Sequence, residues 1–188
     1  MNKLLSTVAA ATALLASPMA ANASIFQFTA TLNGAQEVSP TASLATGVAT
    51  LFYNDSNTAI TSDDTYSFSL VASGPLFNPT AYHLHQGAIG VNGGVQVNLA
   101  MAPFLSMNSG GTLMVGGNNV PTTSTTLLSN LQAGLEYVNI HTSVNPNGDI
   151  RGQLALVSAV PEPSTYAMFG VGLALISSFI RRRAHKTA

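Results

Sequence analysis

The sequence predicts an all-β domain, built as an antiparallel sandwich or barrel of seven or eight short strands. Between about residues 24 and 157, apolar and polar side chains mostly alternate with a period of two, as they do along a half-buried strand. Segments rich in Gly, Asn and Pro separate these alternating runs, which is the pattern of strands joined by tight turns. A segment of this length can bury one hydrophobic core and is short for two.

The first three predicted strands follow directly from this alternation. Residues 26–32 and 66–70 alternate between apolar and polar side chains. Residues 48–53 are apolar on both faces, which predicts a central strand.

The remaining elements are bounded by turn signals. Further strands are predicted at residues 82–86, 95–99, 112–115, 137–142 and 151–157. A Gly-rich turn separates the first two of these, and Asn145-Pro146-Asn147-Gly148 joins the last two, a strong turn sequence. Residues 126–133 predict a short helix ended by Gly134, and residues 118–124 predict a loop.

The N-terminus has the three parts of a secretory signal peptide. Lys3 supplies a positive charge, residues 4–16 are apolar, and Ala21-Asn22-Ala23 offers a small-residue cleavage site. The alternative, an N-terminal transmembrane helix, needs a longer apolar run. Residues 1–23 are therefore predicted to be removed on export, leaving Ser24 as the first mature residue.

The C-terminal segment, residues 158–188, contains a short proline motif, an apolar run and a basic cluster. The motif is Val160-Pro161-Glu162-Pro163-Ser164, the apolar run covers residues 166–180, and Arg181, Arg182 and Arg183 follow. The prolines favour an extended, exposed motif. As a helix the run spans about 22 Å, less than the roughly 30 Å hydrocarbon core. The arginines predict a cytoplasmic end, with everything before them outside.

This order of motif, helix and arginine cluster resembles the PEP-CTERM sorting signal of Gram-negative bacteria that secrete exopolysaccharide. The resemblance implies that an exosortase, a transpeptidase-like membrane protease, cuts near the motif and removes the helix. It implies transient anchoring in the inner membrane, followed by delivery to the cell envelope, the outer surface or the extracellular matrix. A plain C-terminal membrane anchor is the alternative interpretation of the apolar run.

The charge and cysteine content of the domain exclude several functions. Between residues 24 and 157 the single basic residue is Arg151, against the acidic residues Glu37, Asp55, Asp63, Asp64, Glu136 and Asp149. This balance argues against binding of nucleic acid or of anionic membranes by the domain. The chain has no cysteine, which excludes disulfides, thiol catalysis and zinc–thiolate sites.

Three signatures in the domain together resemble the CHRD domain found in chordin. They are F-x-A-x-L-x-G-A-Q-E-V at residues 28–38 followed by A-T-G at 45–47, H-L-H-x-G-x-x-G-x-N-G at 83–93, and Y-V-N-I-H-T with N-P-x-G-D-I-R-G-Q across 137–153. The resemblance implies an immunoglobulin-like β-sandwich in an extracellular setting, and no settled biochemical activity. Ser39 stands where the family usually has proline, and Asp149 where glutamate is commoner.

Three of the four histidines lie inside these signatures. His83 and His85 are two apart on a predicted strand and share a face, while His141 lies on another strand. If the two strands are neighbours, three imidazoles converge, and three imidazoles plus water is a common site for zinc or copper. The alternative is structural: each imidazole can donate a hydrogen bond to a loop carbonyl and hold the Gly-rich turn.

Arg151 is predicted to form a structural ion pair with Asp149 or Glu37, tying the last strand to the first loop. The cluster of Asp55, Asp63 and Asp64 lacks the alternating oxygen spacing of a dedicated calcium loop.

Two functions are consistent with these observations. The first is a non-catalytic binding or structural protein, partnered by extracellular polysaccharide or a surface protein. The second is a mononuclear zinc or copper metalloprotein that uses the three histidines.

Overall fold

The computed structural model describes residues 23–57, 60–75 and 77–160. These ranges contain ten strands: β1 (Ser24–Asn33), β2 (Thr46–Asp55), β3 (Thr65–Ser73), β4 (Pro79–Gln86), β5 (Val95–Asn98), β6 (Leu105–Ser109), β7 (Thr112–Pro121), β8 (Glu136–Thr142), β9 (Ile150–Gln153) and β10 (Ala155–Val160). They also contain one α-helix, α1 (Leu127–Gln132), and two single 3₁₀ turns. The prediction of an all-β, antiparallel domain is confirmed.

The strands form one curled, antiparallel sheet in the order β5-β4-β8-β9-β1-β2-β3-β7-β6, with β10 also paired to β1. The predicted immunoglobulin-like sandwich is not confirmed. Strand β1 pairs with β10 near its start and with β9 at its end, where Asn33 faces Arg151. Backbone pairing therefore continues where a sandwich would have a gap between two sheets.

The curl brings strands from opposite ends of the sheet together. The Tyr82 hydroxyl of β4 donates to the Ser106 hydroxyl of β6 at 2.7 Å, and Asn108 Nδ2 of β6 donates to the Pro79 carbonyl of β4 at 3.2 Å. The alternating apolar residues face the interior, and those with at most 1% exposure include Phe28, Leu32, Leu51, Leu70, Leu84, Val138 and Ile140. Burial of this apolar surface is the main source of the domain's stability.

Strand β2 is central in position, because it pairs with β1 on one side and β3 on the other. Only one of its faces is covered, however: Val48 and Phe52 are 55% and 43% exposed. The residues apolar on both faces thus predicted its central place correctly and its burial incorrectly.

Three further differences from the sequence prediction concern β7, β6 and the division between β9 and β10. Strand β7 pairs with β3 as far as Pro121, so the predicted loop at 118–124 begins too early. Strand β6 was not predicted: Leu105 and Met107 alternate with Ser106 and Asn108, but the run is short and all five residues are exposed. The predicted strand 151–157 is two strands, since β9 pairs with β8 while β10 pairs with β1.

The short helix is confirmed, and Gly134 follows it with φ 67°, the left-handed conformation that glycine adopts without strain. Strand β10 runs past the predicted domain limit at residue 157 and ends at Val160. The predicted signal peptide up to residue 22, the rest of the sorting motif, the apolar run 166–180 and the arginine cluster lie outside the described residues. Within the described ranges, no helix is long and apolar enough to cross a membrane.

Candidate metal centre and adjoining cleft

Pairing of β4 with β8 brings the three signature histidines together. In this pairing His83 faces Asn139, His85 faces Tyr137, and Ala81 faces His141. One ring nitrogen from each histidine lies within 4.8 Å of the others. The condition set by the sequence, that the two strands be neighbours, is therefore met, and the predicted convergence is confirmed.

Two of the three imidazoles are oriented by backbone carbonyls. His85 Nδ1 lies 3.0 Å from the Gly93 carbonyl oxygen, and His141 Nδ1 lies 3.0 Å from that of Pro146. A carbonyl only accepts, so each Nδ1 carries the proton and each Nε2 presents a lone pair. The Nε2 of His141 is 3.3 Å from His83 Nδ1, whereas the Nε2 of His85 is buried with no hydrogen-bond partner.

The carbonyl bonds are those expected of structural histidines, and they also suit metal ligands. A histidine that binds a metal usually donates its other ring N–H to a carbonyl or carboxylate, which fixes the ring and its tautomer. The loop-pinning role is therefore present at His85 and His141. It does not explain why the three rings lie so close together that one nitrogen of each is within 4.8 Å of the others.

The environment favours the neutral imidazoles that metal binding requires. Burial, followed by the nearby rings of His141 and His85, lowers the pKa of His83. Burial also lowers the pKa of His85, although its bond to the Gly93 carbonyl partly offsets this.

The face that carries the histidines is partly covered, with His83 and His141 half-buried and His85 buried. His85 is 8% exposed, Asn139 2% and Tyr137 1%. The turn between β4 and β5 contributes part of this cover, since Gly93 N donates to the Tyr137 hydroxyl at 3.0 Å. Alternation along each strand predicts which side chains share a face, but it does not predict that loops cover part of that face.

Arg151 holds this turn, and its predicted direct ion pair is wrong. Its guanidinium donates to the carbonyls of Val91 at 3.0 Å and Ala88 at 2.8 Å, and to Gln153 Oε1 at 3.3 Å. Its Cζ also lies 3.4 Å from the centroid of the Tyr137 ring. Backbone carbonyls, rather than a carboxylate, therefore satisfy this buried cation.

The two carboxylates predicted to pair with Arg151 have other partners. Asp149 accepts from Ser43, Thr142 and Asn145. Glu37 accepts a hydrogen bond from Asn139 Nδ2 at 3.4 Å, and Arg151 influences it only electrostatically.

A cleft of about 340 Å³ adjoins the histidine cluster, and His85 and His141 line it together with Glu37 and Asn139. Among the described residues, four buried side-chain polar atoms lack a hydrogen-bond partner: Glu37 Oε1, His85 Nε2, Glu136 Oε2 and Asn139 Oδ1. Three of these four belong to residues that line this one cleft. Buried polar atoms are rarely left unpaired, so their concentration here makes the cleft a candidate ligand site.

Glu37 is the member of the cleft that sequence reasoning placed incorrectly. Burial raises its pKa to about 7, while the charge of Arg151 and the hydrogen bond from Asn139 work in the opposite direction. Gly148 packs against its carboxyl group: a Cβ at Gly148, where φ is 143°, would lie 2.6 Å from Glu37 Oε2. Two residues that line the cleft, His85 and His141, were already singled out from the sequence, and alternation along β8 places Asn139 and Tyr137 on the face of His141.

Residues 28–154 match the family model of the CHRD domain. The chain belongs to the CHRD domain family. A second model, the PEP-CTERM protein-sorting motif, matches residues 159–183. No curated protein and no solved structure matches the chain. Both resemblances predicted from the sequence are confirmed.

The PEP-CTERM motif is a sorting signal recognised by exosortase and indicates export and association with the cell surface. The CHRD domain indicates a binding or structural role. The histidine cluster and its cleft thus lie in a CHRD domain that is delivered outside the cytoplasm.

Proposed function

We propose that this CHRD protein is a non-catalytic binding protein of the cell envelope, and that His83, His85 and His141 bind one zinc or copper ion. The observation that carries the proposal is the cluster itself: one ring nitrogen from each histidine lies within 4.8 Å of the others, and the buried Nε2 of His85 has no hydrogen-bond partner. A metal ion would supply the missing partner for this lone pair.

The donor set decides which metals fit. Three imidazole nitrogens suit zinc and copper, whereas calcium and magnesium prefer oxygen ligands. Three protein ligands leave a coordination position open for water or another ligand. The Nδ1 bonds to Gly93 and Pro146 hold two of the rings in place before any ion arrives.

The sorting signal supports a role outside the inner membrane. In this proposal the C-terminal segment anchors the chain transiently in the inner membrane until exosortase releases it to the outer surface or the extracellular matrix. An extracellular polysaccharide or a surface protein is the proposed partner there. The single cation of the domain, Arg151, is buried, which disfavours nucleic acid as a partner.

Metal content tests the proposal, and His83→Ala is the most informative variant. The chain would be expressed with its signal peptide, purified in detergent, and analysed for zinc and copper by mass spectrometry. We expect about one ion per chain in the wild type. Loss of His83 should weaken metal affinity more than about 100-fold, because removing a ligand costs more than disturbing its supporting hydrogen bonds.

His83 separates the two roles of the cluster because its ring contacts His141 rather than a loop carbonyl, with His83 Nδ1 3.3 Å from His141 Nε2. If the cluster is only structural, His83→Ala should leave metal content unchanged. His185→Ala is the matched control, since His185 lies in the C-terminal segment and should retain wild-type metal content. Absence of metal from the wild type after incubation with both ions would contradict the proposal.

A further inference from the structure

We infer that the cleft beside the histidine cluster binds a sugar, whose hydroxyl groups donate hydrogen bonds to Glu37 and Asn139. This inference deepens the proposed function by naming a second ligand at the same site. The two acceptor side chains on which the inference rests, Glu37 and Asn139, are not ligands of the proposed metal ion.

The first step is the unpaired acceptors themselves. Glu37 is 7% exposed and Asn139 2% exposed, yet Glu37 Oε1 and Asn139 Oδ1 have no hydrogen-bond partner. A buried acceptor without a donor costs free energy in the unliganded protein. Both side chains line the same cleft and are joined through Asn139 Nδ2 and Glu37 Oε2, so one ligand can satisfy both.

The second step is the chemistry of the missing donor. A carboxylate ligand has no donor at neutral pH, and a carboxylate or phosphate ligand would be repelled by the ionised form of Glu37. An ammonium group would donate, but the charge of Arg151 acts on Glu37 and a metal ion would add further positive charge. A neutral hydroxyl donates to an acceptor without this repulsion, and it can accept as well.

The third step is the shape and lining of the cleft. Its volume of about 340 Å³ lies in the range of small-molecule sites. Ser39, Asn92 and Asn147 also line it, and hydroxyl and amide groups of this kind both donate to and accept from sugar hydroxyls. A polyhydroxylated neutral ligand is the class that matches two unpartnered acceptors within a polar wall.

Saturation-transfer NMR tests the inference with the methyl glycosides of glucose, galactose and mannose as probes. The full chain would be studied in detergent, first without metal and then loaded with zinc. We expect transfer from the metal-free protein to at least one glycoside, with a dissociation constant on the order of millimolar. Glu37→Gln should weaken binding about tenfold, because the amide replaces one acceptor oxygen with a donor.

Glu136→Gln is the matched control. Glu136 is also a buried carboxyl with one unpartnered oxygen, but it does not line the cleft, so its variant should bind the glycoside like the wild type. Asn139→Ala provides a second test should Glu37→Gln fail to give a folded protein by circular dichroism, and it should also weaken binding.

The results distinguish failure of this inference from failure of metal binding. Since His83 does not line the cleft, His83→Ala should lose metal and keep sugar binding. No transfer to any of the three glycosides would overturn the inference and leave the metal proposal intact. Transfer that requires zinc, or that is equal in Glu37→Gln and wild type, would overturn the assignment to Glu37 and Asn139.

Discussion

Replacing Arg151 with lysine is expected to lower the free energy of unfolding by about 3 kcal/mol, because buried charge-assisted hydrogen bonds contribute about 1.5–3 kcal/mol each. The guanidinium reaches two carbonyls of the turn after β4, those of Ala88 and Val91, and is only 1% exposed. Lysine keeps the positive charge but lacks the rigid, planar guanidinium group with its several N–H donors. It cannot reproduce both carbonyl bonds together with the close packing on the Tyr137 ring.

Urea unfolding followed by circular dichroism measures this effect. Arg181→Lys is the matched control, because it makes the same chemical change in the C-terminal arginine cluster, and we expect it to unfold like the wild type. Equal unfolding free energies for Arg151→Lys and wild type would show that a buried point charge is sufficient at this position.

The same variant should also weaken metal binding. Arg151 fixes the turn whose Gly93 carbonyl orients His85. Loss of such a supporting interaction typically lowers metal affinity about 10- to 100-fold. Isothermal titration calorimetry with zinc would measure this loss of affinity, using the part of the variant protein that remains folded.

Replacing Glu136 with glutamine is expected to stabilise the protein at pH 8 and to leave its stability at pH 5 nearly unchanged. Glu136 is fully buried, and burial raises its pKa to about 7, although the hydrogen bond from Asn130 Nδ2 lowers it in part. The folded state therefore holds this proton more tightly than the unfolded state, in which the carboxyl has its ordinary pKa of 4.5. Its contribution to stability is lost as pH rises from about 5 through 7.

The expected gain at pH 8 is on the order of 3 kcal/mol, since each pKa unit corresponds to about 1.4 kcal/mol. Glutamine cannot ionise, and its carbonyl oxygen can still accept from Asn130. Urea unfolding of wild type and variant at pH 5 and pH 8 measures the effect, and pH 5 is the internal control. Parallel pH profiles for the two proteins would contradict the assignment of a strongly raised pKa to Glu136.

Other groups also make the unfolding free energy of the wild type depend on pH, so the informative quantity is the difference in unfolding free energy between wild type and Glu136→Gln at each pH. Glu37 has a similarly raised pKa of about 7 and should still destabilise the variant as pH rises. His83 and His85 act in the opposite sense, because their pKa values are lowered. Their contribution is present above the unfolded pKa near 6.5 and is lost as pH falls below it.

Periodicity predicted most of the strands and the face shared by His83 and His85, and Tyr82 and Leu84, which alternate with these histidines, are buried. These features follow from local geometry, since alternate residues of a strand point to opposite faces. Periodicity was not sufficient for β6, where Leu105 and Met107 alternate with Ser106 and Asn108 but no residue is buried. It also failed to divide β9 from β10, because that break depends on which neighbouring strand each one pairs with.

Short motifs and a local period in the sequence were sufficient to establish the family, the sorting signal, the all-β class and the three histidines. What surrounds those histidines became known only from the folded chain. Glu37 meets Asn139 across 102 residues, and Arg151 meets Ala88 across 63. No local pattern specifies such contacts, because loops far apart in sequence come together only when the sheet curls and each buried polar group finds a partner.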